Sequence, residues 1–265
     1  MTLPKTATDD YIDFCRGVQA LCRIDLEQYK RGQMERRIRT FASGRGVAEL
    51  PNYLTVLKRD RTELEAFLDR ITINVSQLWR NPEQWKVLAD NVLPELAAEG
   101  GRIRAWSAGC SYGAEAYTLA AVAAGAVPGT RVEVRGTDID ERIVAKANTG
   151  RFSLADARPA PPKELDRWFV REGDEYVAKP ELRRSMRFDT GDLLRMRIAP
   201  RSLDLILCRN TVIYFNQEVR DDLHQRLVEA LRPGGVLIVG ATERVADAGQ
   251  LGLSATHPFT YRKTS

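Results

Sequence analysis

The sequence has little of what several chemistries require. It holds two histidines and four cysteines in 265 residues. Cys15, Cys22, Cys110 and Cys208 are scattered, and no pair has metal-ligand spacing. A disulfide framework is not expected in so long a chain, so the thiols read as reduced and the compartment as cytoplasmic. No metal site is expected. No apolar run approaches the ~18 residues of a membrane span. The opening stretch, MTLPKTATDDY, has no hydrophobic region of a signal peptide. There is no internal repeat and no low-complexity segment. The net charge of +4 is mild and by itself calls for no nucleic acid. What is present is 43% hydrophobic residues, enough for a core, with 29% charged residues, as in a soluble protein. The length suits one large or two small domains.

Residues 105–120, AWSAGCSYGAEAYTLA, organise the rest. A strand at 102–107 breaks into a turn of small residues at 108–113 and resumes as an Ala-rich helix. Strand, Gly turn, helix is the opening unit of a doubly wound α/β domain, where ligands sit over the carboxyl ends of the strands. Gly109 and Gly113 allow close approach of the backbone. Their spacing is Gly-x-x-x-Gly, so the dinucleotide fingerprint is absent. By itself the turn is weak evidence, and a plain connection with no ligand stays open as the lesser reading.

Ahead of it lies a helical stretch with no strand signal. Tyr11, Phe14, Cys15, Val18 and Cys22 mark an amphipathic helix over 8–22, with Thr8 as its cap. A second helix is expected over 26–43, striped by Met34, Ile38 and Phe41. Over residues 30–45, Lys30, Arg31, Arg36, Arg37, Arg39 and Arg45 stand against Glu35 alone. Such a run reads as a solvated face or as a docking surface. Helices follow at 47–59 and from Thr62, where Thr62 and Glu65 form a capping box. Asn81-Pro82 opens a further helix that Pro94 kinks or ends.

After residue 102, strands and helices alternate: strands at 132–137, 203–208 and 236–240, helices at 141–148 and 216–231. This argues for a mostly parallel sheet with helices on both faces. Residues 259–261 offer a closing antiparallel strand. A hairpin at 168–178 interrupts the rhythm before a strand at 186–188. The expected organisation is a helical unit over 1–72 and an α/β domain over 73–265, with a small β insertion at about 163–185.

Asp138 stands at the end of the second strand. A carboxylate there can accept both hydroxyls of a ribose or cap the next helix, and Asp140 is better placed to cap. Asp192 follows the third strand and serves either a purine amine or the turn itself. Cys208, Arg209 and Asn210 end the fourth.

On these segments the chain resembles the CheR-type chemoreceptor glutamate O-methyltransferases over nearly its whole length. The resemblance rests on ITINVSQLWRN (71–81), WSAGCSYGAEAYTLA (106–120), TDIDERIVAKANTGRF (137–152), CRNTVIYF (208–215) and RPGGVLIVGATE (232–243). CRNTVIYF is the most specific. The implied fold is a class I S-adenosylmethionine-dependent methyltransferase behind an all-helical domain. The implied cofactor is S-adenosylmethionine, leaving S-adenosylhomocysteine, with no metal. Matched residue by residue, the family's cofactor contacts fall on Asn74, Ser76, Arg80, Glu115, Asp138, Asp192, Leu193, Cys208 and Arg209. Asn210 shares the strand-end motif, and Gly109 belongs to the turn. Tyr214 matches a tyrosine near the reacting methyl. Arg37, with Arg36 and Arg39, matches a basic helix facing the receptor. The chain departs from the family's Thr-x-Phe-Phe-Arg-Glu at 76–81 and from Gly-Glu-Glu-Pro-Tyr-Ser at 113–118.

The implied reaction methylates a glutamate side chain. That carboxylate, with a reference pKa of about 4.3, is already ionised, so no general base is needed. Arg80 can hold one oxygen and Tyr214 orient the group, while Trp79, His224 and His257 read as structural. The implied partners are receptor cytoplasmic helices, without nucleic acid or membrane insertion, and the chain is expected to be a monomer. Tether-binding members carry a longer Gly-rich loop in the β insertion. The short turn at 171–175 therefore implies independence from a receptor pentapeptide. Two alternatives stay open: a methyltransferase acting on another protein or nucleic acid, and a non-catalytic cofactor-binding regulator.

Overall fold

A computed structural model describes residues 9–72 and 75–264. The chain divides into two compact units, Met1–Ile73 with Tyr214–Val219, and Asn74–Ile213 with Arg220–Ser265.

In the first unit, α1 (Asp10–Cys22) is capped by Asp9, whose carboxylate accepts the Tyr11 N–H; Thr8 lies outside the described residues. Helix α2 spans Arg31–Gly44. The expected start at 26 is too early. Asp25 caps a separate 3-10 turn, Leu26–Gln28, and Tyr29 then bridges to Phe215 in extended conformation. Two helices follow, α3 (Leu50–Arg59) and α4 (Arg61–Ile71). The Thr62–Glu65 capping box does not form. Asp60 accepts the N–H groups of Thr62 and Glu63 instead, and Glu65 pairs with Arg61 at 3.1 Å. Phe14, Tyr53 and Phe67 pack ring against ring at the centre, with centroids 5.9–6.2 Å apart. At Gly17 a Cβ would lie 2.3 Å from Leu54 Cδ2, so a larger residue there would require Leu54 to move.

The second unit opens with α5 (Pro82–Val87), a widened turn at Leu88–Val92 and α6 (Leu93–Glu99). Pro94 neither ends nor breaks this run. The Leu93 N–H reaches back to the carbonyl of Leu88, and the wider loop absorbs the donor that Pro94 lacks. Strand β1 (Arg102–Ala108), α7 (Ala114–Ala126), β2 (Arg131–Asp138) and α8 (Glu141–Thr149) follow. Then come β3 (Arg151–Ser153), α9 (Pro162–Trp168), β4 (Phe169–Glu172), β5 (Glu175–Ala178) and α10 (Pro180–Arg183). The chain closes with β6 (Met186–Thr190), β7 (Leu203–Cys208), α11 (Gln217–Ala230), β8 (Leu231–Val239), β9 (Leu253–His257) and β10 (Thr260–Lys263).

The main sheet runs β6-β2-β1-β7-β8-β10-β9. The five strands from β6 to β8 are parallel, and β10 and β9 close it antiparallel. A small antiparallel sheet, β3-β5-β4, stands apart from it. Ile103, Ala105, Leu205, Leu207, Val236 and Ile238 form one buried side of the main sheet. Helix α7 is apolar on nearly all sides, Glu115 and Thr118 excepted, and buried along most of its length, which fits a helix inside a layered core. The parallel order brings the ends of β6, β2, β1 and β7 side by side, and the site is built there.

Candidate active site

The turn after β1 is held from its neighbour strand. The N–H groups of Gly109 and Cys110 both donate to the Thr137 carbonyl, at 2.9 and 3.0 Å. Gly109 has φ +79°, and a Cβ there would meet Thr211 Oγ1 at 2.5 Å. Close approach of protein, as well as backbone handedness, therefore demands glycine. Asp138 completes the turn: its carboxylate accepts the Ser111 N–H at 2.8 Å and the Asp140 N–H at 3.1 Å. Burial pushes the Asp138 pKa up, and those backbone donors oppose the shift. Asp138 has no ion pair among the described residues. Asp140 caps α8 through the Arg142 N–H at 3.0 Å. A buried carboxylate whose oxygens each accept one amide keeps lone pairs for hydroxyl donors. That fits the ribose of a nucleoside.

A second knot ties β1, α7 and β7 to the start of α5. Ser107 Oγ donates to Glu115 at 2.7 Å, and Arg209 Nη1 reaches the other Glu115 oxygen at 3.3 Å. The remaining Arg209 donors go to Gln84 Oε1 at 2.8 Å, the Arg80 carbonyl at 2.7 Å and Asn81 Oδ1 at 3.2 Å. Its guanidinium also lies 5.1 Å from the Trp85 ring centroid. Both charges are buried. Burial raises Glu115 and lowers Arg209, and their mutual attraction opposes each shift. Arg209, read from sequence as a cofactor contact, spends most of its donors on protein.

Residues 75–81 are drawn onto the same strand ends. The Tyr112 hydroxyl donates to the Ser76 carbonyl, the Leu78 N–H to Asp156 O at 3.0 Å and the Trp79 N–H to Thr118 Oγ1 at 3.0 Å. Trp79 is buried, in the core as expected. Among the described residues, the Arg80 guanidinium bonds the Val75 carbonyl alone, through Nη1 at 3.1 Å. Asn74 lies outside the described residues.

Asp192 behaves as a turn residue. It accepts the Leu194 N–H at 2.9 Å and pairs with Arg195 at 3.5 Å. The Gly191 N–H donates to the Asp138 carbonyl at 2.8 Å, so the backbone around Asp192 and buried Leu193 abuts the Asp138 strand end. Cys208 is buried, and burial pushes its thiol pKa well up, which makes it inert packing. The Asn210 N–H donates to Glu243 Oε2 at 2.8 Å, and the Gly240 N–H to the same oxygen at 2.6 Å. Glu243, like Gln84, Ser107 and Tyr112, was not singled out from sequence. An acid three residues past a strand-end glycine is the signal that marks it.

In the first unit, the Tyr214 carbonyl accepts the Lys30 N–H at 2.9 Å. Arg37 has a buried Nη1 with no hydrogen-bond partner among the described residues. Burial lowers its pKa, with Tyr214 and Arg70 nearby. Arg36 is exposed. Arg39 is not free: it grips Asp10 at 2.7 Å and Glu35 at 2.9 Å.

Comparison with known proteins gives a consistent answer. Residues 9–72 match the family described as the CheR methyltransferase all-alpha domain, and residues 74–257 the CheR methyltransferase SAM binding domain. A chemotaxis protein methyltransferase of Listeria monocytogenes is 36% identical over 96% of this chain and 97% of its own length. Those of Salmonella typhimurium and Pseudomonas aeruginosa are 30% and 31% identical, over 88% and 89% of this chain and 83% and 90% of their own.

Proposed function

Because the chain belongs to the CheR methyltransferase family, we propose that it methylates glutamate side chains in the cytoplasmic helices of chemoreceptors. S-adenosylmethionine supplies the methyl, on a sulfonium whose departure leaves S-adenosylhomocysteine. The observation that carries the reading is Asp138: a buried carboxylate, with no ion pair among the described residues, that pins the Gly turn and keeps acceptor capacity for a ribose diol. In this reading Gly109, Glu115, Asp192, Leu193, Cys208 and Asn210 take part in holding the cofactor, and Arg209 supports them. Asn74, Ser76 and Arg80 complete the contacts.

Charge decides the rest. The substrate carboxylate is ionised at neutral pH, far above its reference pKa of about 4.3, so the proposal invokes no general base and no metal. Charge is neutralised as the methyl moves, so excluding water from the carboxylate favours the reaction, as does alignment. Arg80 holds one carboxylate oxygen and leaves the other to attack. Tyr214 orients the same group. Arg36, Arg37 and Arg39 on α2 attract an acidic receptor helix. The enzyme acts in the cytoplasm, as a monomer and without nucleic acid. No described helix is long and apolar enough to cross a membrane.

Tethering to a receptor tail is not part of the proposal. The β4–β5 turn is only Gly173-Asp174, and Arg151 clasps its flanks through Glu172 at 2.7 Å and Glu175 at 3.0 Å. An edge-strand peptide needs side-chain pockets, which so tight and acidic a turn does not offer to a negative C-terminus. Receptor fragments with and without a tail ending in an aromatic residue should be methylated equally. Methylation that collapses on deleting the tail would contradict this.

A further inference from the structure

Parallel strands are ordinarily covered on both faces. In β6, β2 and β1 one face is left open over part of its length. On the covered side Ile103, Ala105 and Val134 are buried. On the other, Arg102, Arg131 and Arg187 keep 53%, 74% and 81% of their side chains exposed. The cause lies in the β6–β7 connection. Residues 191–202 form turns and bends, with no crossover helix, and Arg226 of α11 ties them down through the carbonyls of Leu193 and Met196. The result is an open groove of about 770 Å³.

Its charge is unbalanced. Six arginines line it, with Arg104, Arg135 and Arg184 joining those three, against Glu133, Glu181 and Asp189. No lysine lines it. Arg102 stands directly opposite Arg131, and Arg135 opposite Arg187, a placement that costs stability between like charges. The carboxylates are shared to offset this. Glu133 serves both Arg102 and Arg131. Asp189 serves Arg135 at 2.8 Å and Arg187 at 3.0 Å. Arg184 makes no ion pair among the described residues. Arg104 is held instead by Asp204 at 3.0 Å, outside the lining. The two guanidiniums on each of Glu133 and Asp189, with Arg184 beside them, leave N–H donors for a further acid in a concave site.

We propose that this groove, built wholly within the second unit, docks an acidic segment of a protein partner. The guanidinium fork fits a carboxylate with two parallel hydrogen bonds. Added carboxylates would relieve the opposed arginine pairs. A mixed lining with cations in excess complements a helix or peptide with acids in excess. Nucleic acid fits less well. A phosphate backbone would meet the three groove carboxylates, and no aromatic lines the groove for base stacking.

The test uses the full chain carrying Arg36→Glu and Arg37→Glu, so that α2 does not compete, with a fluorescent Glu-rich helical peptide as probe. Peptide anisotropy should report binding that weakens as salt rises. Adding Arg131→Glu and Arg187→Glu should weaken it about tenfold or more, as loss of two charge pairs implies. Both side chains are largely exposed, and an unchanged circular dichroism melt will show that the fold holds. In the otherwise native chain the same two reversals should leave S-adenosylmethionine affinity and methylation of receptor fragments unchanged. Failure of the catalytic reading would therefore show separately. No peptide binding, or binding untouched by the groove reversals, would overturn the proposal. So would a single-stranded RNA that displaces the peptide at lower concentration.

Discussion

Arg209 and Glu115 meet at 3.3 Å with both side chains almost wholly buried, 3% and 11% exposed. The residues are ninety-four positions apart, and through Gln84, Asn81 and the Arg80 carbonyl the pair fixes the corner from which Arg80 projects. Removing one partner strands the other's charge, at a cost of about 3–5 kcal/mol. Glu115→Gln should lower the denaturant midpoint accordingly. The double variant Glu115→Gln/Arg209→Met should lose less than the sum of the two single changes. Additive losses in that cycle would show that the pair is not coupled.

Asp138 links turn geometry to the proposed cofactor contact. Asp138→Asn keeps the shape but leaves one oxygen to serve Ser111, Asp140 and any ribose hydroxyl. S-adenosylmethionine affinity by calorimetry should fall by about 1–3 kcal/mol, the scale of lost charged hydrogen bonds. Unchanged affinity would remove Asp138 from the binding site.

For α2, Arg36 is exposed and Arg37 half-buried, neither in an ion pair among the described residues, whereas Arg39 is held by Asp10. Arg36→Glu with Arg37→Glu should raise the apparent KM for receptor fragments while cofactor affinity holds. Activity of the native chain should fall with added salt, since exposed charges are screened over about 8 Å at physiological ionic strength. Arg39→Glu should instead lower stability. A salt-independent reaction would count against α2 as the docking face.

His224 gives a pH signature. Burial, with the nearby Arg220 adding to it and Asp221 opposing, lowers its pKa from 6.5 to about 4. Neither ring nitrogen has a hydrogen-bond partner among the described residues. The unfolded chain takes up this proton near pH 6.5, and the folded chain refuses it until about pH 4. The stability this represents is present above pH 6.5, is lost as pH falls through that window and amounts to about 3 kcal/mol at most. His224→Leu should flatten the stability profile between neutrality and mild acid in urea titrations. An unchanged slope would show that the ring titrates normally in the fold.

The alternation of strand, turn and helix was legible because each element carries its own period, and Asp140 could be read as a cap because capping is local. What stayed hidden depends on partners far off in the chain. Arg209 meets Arg80 and Gln84 across more than a hundred residues, and Arg39 meets Asp10 across twenty-nine. No spacing rule announces such pairs. Strand β3 is three residues long, too short for alternation to show. Asp60 displaced the expected Thr62 cap because a charged acceptor two residues earlier reaches two N–H groups at once. The open arginine face follows from a helix that is missing between β6 and β7, and an absent element leaves no pattern to read.

The central claim is methylation of receptor glutamates, and transfer of labelled methyl tests it most directly. The enzyme is incubated with methyl-labelled S-adenosylmethionine and receptor cytoplasmic fragments, beside Arg80→Ala and Tyr214→Phe variants. The account predicts label on glutamate, released as methanol by mild base. It also predicts turnover in both variants far below the parent, with receptor binding retained. Base-stable label, label on nucleic acid, or parent-rate transfer by both variants would contradict it.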